Sequence, residues 1–204
     1  MMLIEETAVA ADALPVAALR AHLRLATGFD GPEDAAETTA LQGFLRAAIA
    51  TIEGRTGKVL LRRRFEMRLS DWRDRLGQTL PLAPVDAVER IVIDDGDGQQ
   101  TELPHASWRL LPDAQRPMVL PTGVILPHVP RRGHVTVTFV AGFAETWDGV
   151  PADLAHAVIM LSARYYEDRH DDSARQALPF GVSALIEKWR AVRTLSGRGS
   201  REMR

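Results

Sequence analysis

The chain has 204 residues, 46% hydrophobic and 25% charged, with a formal net charge of -2. That composition suits one globular domain of ordinary size or two small ones, and it excludes disorder over most of the length and a strongly basic nucleic-acid binder. Cysteine is absent, which excludes a disulfide framework, a thiolate metal site and a cysteine nucleophile.

Arginine outnumbers lysine 23 to 2. The skew fits a high-GC bacterial genome better than 23 functional arginines. No stretch approaches the ~20 apolar residues that a membrane span needs. The first fifteen residues carry acids where a secretory leader would carry positive charge, so no leader is expected. The expectation is a soluble protein made in the bacterial cytoplasm.

The first predicted element is a helix. Pro15 suits a first turn, and Val16, Leu19, Leu23 and Ala26 recur at helical spacing. Gly28 closes it. A second helix carries Leu41, Phe44, Leu45, Ala48, Ile49 and Ile52 on one stripe, with Glu33, Asp34 and Glu37 near its positive end. Gly54 and Gly57 end it. From Val59 the period falls to two: Phe65, Met67 and Leu69 alternate with Arg64, Glu66 and Arg68, as in a half-buried strand.

Pro81 and Pro84 bracket a short extended piece. Val88–Asp94 reads as a strand entering the turn Asp94–Gly98, and Trp108–Leu111, Met118–Leu120 and Val124–Leu126 are short strand candidates. Val135, Val137 and Phe139 alternate with threonines in the strongest strand signal of the chain. Helix returns after Pro151, with Leu154, Val158, Leu161 and Tyr165 on one stripe. Glu167–Gln176 is a polar break. A last helix carries Val182, Leu185, Ile186, Trp189 and Val192, with Trp189 as its anchor. The tail after it is glycine-containing and poor in apolar residues, so it is expected to stay disordered until it docks.

Helix pairs at both ends with strands between, and no strand–helix alternation, point to an α+β fold. The expected architecture is a four-helix bundle formed by the N- and C-terminal helix pairs, with an inserted antiparallel β subdomain and a flexible C-terminal tail. The boundaries fall at 1–57, 58–143, 144–193 and 194–204.

Chemistry is sparse. Asp168, His170, Asp171 and Asp172 contain metal-ligand types, which keeps a metal-dependent hydrolase open as an alternative. Consecutive residues cannot all aim at one ion, however, and a solvated loop explains them better. Asp94–Gly98 suggests a calcium loop, but Gln100 and Ala106 stand where glycine and glutamate are wanted, so a β-turn is the better reading. The six histidines are scattered singly; His22 and His156 read as helix-face residues. No nucleophile elbow and no glycine-rich phosphate loop occur. Arg62–Arg64 and Arg131–Arg132 are basic patches that either touch phosphates or protect a strand edge. A small DNA-binding regulator, with a helix-turn-helix in the first two helices, is the other alternative; its turn would be long and acidic. No catalytic residue, metal or cofactor is expected.

Several segments together resemble the head–tail connector (adaptor) proteins of long-tailed bacteriophages and gene transfer agents. They are Leu19–Leu25, Ala47–Gly57, Leu80–Val85 with the strand and turn after it, Val137–Phe143 leading into Val150–Leu154, and Ala163–Arg169 followed by Leu178–Val182. They cover nearly the whole chain in the family's order. The resemblance implies a virion structural protein without enzymatic activity. It would form a homo-oligomeric ring, a dodecamer matching the portal, and would accept a stopper or tail-completion protein. DNA would pass through its lumen without sequence-specific binding, and no membrane would be involved. It also favours the tail as the portal-docking arm, through Leu195, Arg198, Arg201, Met203 and Arg204.

Overall fold

The computed structural model describes residues 1–25, 32–168 and 178–190. The chain opens with a strand, β1 (Met2–Glu5), followed by α1 (Val16–Leu23) and the long α2 (Pro32–Thr56). Seven strands come next: β2 (Arg63–Leu69), β3 (Gln78–Thr79), β4 (Val85–Asp94), β5 (Gln100–Glu102), β6 (Trp108–Leu111), β7 (Met118–Pro121) and β8 (His134–Ala141). Helices α3 (Ala152–Glu167) and α4 (Phe180–Ile186) follow, and a 3-10 turn over Glu187–Trp189 extends α4.

Five strands form one antiparallel sheet in the order β1-β2-β8-β4-β5, and three form a second in the order β3-β7-β6. Register places Phe65 opposite Phe139, Met67 opposite Val137 and Leu69 opposite Val135, so each period-two series meets its partner on one face. Phe65 and Phe139 stack with ring centroids 5.8 Å apart. β4 presents Val85, Val88, Ile91 and Ile93 to the same core at uneven spacing, because register shifts after Val85 and Val88 each insert a residue. Those bulges hide the first half of β4 from a strict alternation test. Trp108 and Val119 from the second sheet, with Trp72, Leu80 and Leu126 from loops, complete this core.

The four helices share a separate core built from Leu19, Leu41, Leu45, Ile52, Leu154, Leu161, Val182 and Ile186. Helix α1 stops at Leu23 because Arg24 adopts a left-handed conformation, φ 55°, and turns its N–H back to the Ala21 carbonyl. This is three residues before the expected end. Leu60 and Leu61 belong to the helical core, whereas Val59 belongs to the β core. At this seam Arg62 N–H donates to Ala144 O at 2.7 Å. Gly142, at φ 141°, lies so close that a Cβ would fall 2.5 Å from Arg62 Cα.

The expected α+β class and antiparallel sheets are present, but three element readings need correction. Val124–Leu126 is not a strand: only Leu126 turns inward, and Val124 is 86% exposed. β1 and β5 were not expected; both are short and exposed at every residue, so neither carries an inside–outside pattern. The last helix tightens to 3-10 after Ile186 instead of continuing unbroken. No helix among the described residues is long and apolar enough to cross a membrane.

Candidate interaction surfaces

The three arginines after Val59 act inside the fold. Arg63 has the same parity as Phe65, Met67 and Leu69, and like them it is buried. Its guanidinium meets Glu53 of α2 at 2.5 Å and Glu5 of β1 at 2.9 Å, which ties both elements to β2. Burial pushes the Glu53 carboxyl above its ordinary range; the Arg63 charge and the Leu60 N–H, which donates to Glu53 Oε1 at 2.8 Å, offset part of that cost. Arg62 pairs with Asp86 and Glu145, and Arg64 with Glu6 and Glu89. Neither the phosphate reading nor the edge-protection reading holds for this triplet. β2 is an interior strand, and all three cations have carboxylates within the chain. Arg131 and Arg132 lie exposed in the turn before β8.

One of the two lysines is buried as well. Lys58 Nζ donates to Ala114 O and to Gln115 Oε1 at 2.5 and 2.8 Å, fixing the β6–β7 loop to the seam. Desolvation lowers its pKa, and the nearby Asp113 opposes that shift. The other lysine, Lys188, reaches Asp153 at 2.8 Å. The rarity of lysine in an arginine-rich chain was the available signal for both.

Trp189 does anchor the last helical segment. Its Nε1 donates to Asp153 Oδ2 at 2.7 Å, and its ring meets Phe143 edge-to-face at 5.3 Å. Partial burial would raise the Asp153 carboxyl, but Lys188, Trp189 and the Leu154 N–H together hold it below the usual carboxylate range. The anchor ties the last helical segment to the start of α3 and to the loop after β8. The predicted docking residues Leu195, Arg198, Arg201, Met203 and Arg204 lie outside the described residues.

The polar candidates resolve into local structure. Asp168 forms an ion pair with Arg164 one turn earlier at 2.5 Å, and His170, Asp171 and Asp172 lie outside the described residues. In the Asp94–Gly98 turn, Asp94 accepts the Gly96 N–H, and Asp95 accepts those of Asp97 and Gln99. Those carboxylates close the turn. Among the described residues no group of His, Asp and Glu is placed to hold a metal. Helix α2 is a poor recognition helix: Leu41, Leu45 and Ile52 are buried, and near its start Asp34 and Glu37 engage Arg20 of α1. His22 and His156 are exposed on helix faces, as expected.

The apolar surface is concentrated. Met1, Met2, Leu3 and Ile4 form an exposed run along β1. Leu76, Val124 and Ile125 project from two loops that Arg75 and Leu126 stitch together by mutual hydrogen bonds of 2.7 and 3.0 Å. Phe180 stands 89% exposed at the start of α4. These exposed apolar side chains are the candidate contacts with other proteins.

No family model and no curated protein matches this chain. Solved structures do. The neck of an empty gene transfer agent particle, computed with C6 symmetry, contains a chain 52% identical, with a TM-score of 0.87 over 97% of this chain and 100% of that one. The virion of the native particle contains a chain 52% identical, with a TM-score of 0.83 over 97% and 99%. The neck of the native particle, computed with C12 symmetry, contains one 48% identical, with a TM-score of 0.81 over 97% and 100%.

The chain belongs to the structural proteins of the gene transfer agent neck.

This neck protein is a particle component and not an enzyme. Its polar clusters accordingly close turns and pair helices, and its distinctive surfaces are apolar patches suited to other chains.

Proposed function

We propose that this neck protein is the head–tail connector, or adaptor, of a gene transfer agent or phage particle. It forms a dodecameric ring between the portal and the stopper or tail-completion protein, and DNA crosses the lumen during ejection without sequence-specific contacts. The near-complete match to a chain of a neck computed with C12 symmetry carries this reading. The subunit is made in the host cytoplasm before assembly. Its four helices constitute a bundle, residues 58–143 together with the N-terminal strand β1 a β subdomain, and residues 194–204 the arm that reaches the portal.

Arg198, Arg201 and Arg204 of that arm pair with acidic groups on the portal, and Leu195 and Met203 fill apolar pockets. Rim charges mostly steer association, whereas buried apolar anchors set dissociation. The Trp189 anchor supports the assignment: it fixes the chain at the start of α3 immediately before the arm begins. Deleting residues 195–204 tests it. The truncated protein is expected to keep its thermal midpoint and to lose attachment to portal-bearing heads. Normal attachment by the truncated chain would move the portal contact to the helices or to the β subdomain.

A further inference from the structure

We propose that neighbouring copies of this chain join edge to edge, with the open side of β1 in one copy pairing with the open side of β5 in the next. The proposal rests on the ring reading above and names the surface that closes the ring. A cyclic ring needs two unlike patches on every subunit that fit each other. β1 and β5 are the opposite edges of one sheet, so they are unlike by construction; four antiparallel steps separate them, so they run in the same direction and the joint between copies is a parallel pair.

The backbone shows what each edge offers. Glu6 N–H donates to Arg64 O at 2.9 Å, which fixes the phase of the β1–β2 ladder. By the alternation of an antiparallel pair, Ile4 and Met2 also bond towards β2, and Leu3 and Glu5 turn their N–H and C=O groups outward. On the far edge, Leu103 N–H donates to Ile91 O at 2.8 Å, so Thr101 bonds inward, and Gln100 and Glu102 face outward. Each edge therefore presents two residues, spaced by two, with a donor and an acceptor apiece. These sets match for strand addition.

β1 contains no lysine, proline or bulge, and its one charged residue, Glu5, is paired within the chain with Arg63. Instead Met2, Leu3 and Ile4 are 47%, 37% and 39% exposed. The ion pairs of Glu5 with Arg63 and of Glu6 with Arg64 hold the strand in place, so its edge is ordered before a neighbour arrives.

The natural absence of cysteine makes the test clean. Particles are produced with Leu3→Cys, with Thr101→Cys, and with both changes, and are then treated with a short thiol-specific bifunctional cross-linker. The double variant is expected to give a ladder of covalent multimers beyond the dimer, and each single variant only monomers. Dimers from Leu3→Cys alone would place β1 against β1 and overturn the proposal. So would monomers alone from double-variant particles that contain the protein, and in that case the connector reading would stand. Absence of the unaltered chain from purified particles would overturn the connector reading itself. Leu3→Pro gives a second readout, because it removes an outward N–H and leaves the β2 ladder intact. It is expected to keep the thermal midpoint and to reduce incorporation into particles at least tenfold; incorporation at the level of the unaltered chain would overturn the edge contact.

Discussion

In the helical core the fully buried large side chains are aliphatic: Leu19, Leu41, Leu45, Ile52, Leu60, Leu154 and Leu161. Where the β core meets it, Lys58 and Arg63 are buried beside such neighbours as Val59 and Phe65. The first region is held by filled volume, which does not respond to pH and tolerates hydrophobic exchange. The seam is held by a few charge-assisted contacts, each aimed at one partner, which respond to pH and tolerate no exchange. For a subunit of a particle neck the division is useful. The helices supply bulk stability, and the seam sets how helices and sheets sit against each other.

The largest expected effect separates the two regions directly. Arg63→Met strands the Glu53 carboxylate in a buried site and should cost about 3–5 kcal/mol at neutral pH. Glu53 already has a raised pKa, so the stability linked to it is complete below its ordinary value of 4.5 and is lost as pH rises through the folded value. Without Arg63 the raised value climbs further. Denaturant unfolding should therefore show a penalty that shrinks at mildly acidic pH, where Glu53 takes a proton. A penalty independent of pH would mean that Arg63 acts by packing alone.

The helical counterpart is Ile52→Ala or Leu161→Ala. Each empties a buried site and should cost roughly 2–5 kcal/mol, equally at both pH values. An unchanged unfolding midpoint would remove those faces from the core.

A smaller effect is expected at the anchor. Trp189→Phe keeps the ring against Phe143 but loses the hydrogen bond to Asp153, a change of about 1 kcal/mol in thermal unfolding. The Asp153 carboxyl is held below its ordinary 3.8, so the stability it supplies is complete above that value and is lost as pH falls through the folded value. Asp153→Asn should flatten that acid limb while still offering Trp189 an acceptor. An unaltered acid limb would assign the loss to other carboxylates.

The smallest effect tests a negative expectation. Replacing Asp168, His170 and Asp172 together by alanine should change stability by no more than about 0.5 kcal/mol and leave particle assembly normal. Failed assembly by a folded variant would reveal a site in that segment.

The same contrast explains what the sequence made legible. α2, α3, β2 and β8 announce themselves because one face of each is buried and strict periodicity follows. β1 and β5 are invisible to that test: with every residue exposed, neither has an inside and an outside. Val124 and Ile125 mislead in the opposite direction, because an apolar run left on the surface looks like one bound for the core. Arg63 was readable in principle, since it shares the parity of Phe65 and Met67, but an arginine at a core position makes sense only once Glu53 is brought next to it from the preceding helix. Arg198 and the other expected docking residues gained no geometric support, because they lie outside the described residues. Pattern reading recovers surfaces that face the chain's own core; surfaces that face another subunit need the assembly.

Loss of the protein tests the proposed joining of heads to tails. Cells lacking the gene, with and without a complementing copy, would be induced and their particles counted by electron microscopy. Heads without tails, filled or leaking DNA, are expected, with a return of tailed particles on complementation. Tailed particles at normal yield without this protein would contradict the proposal.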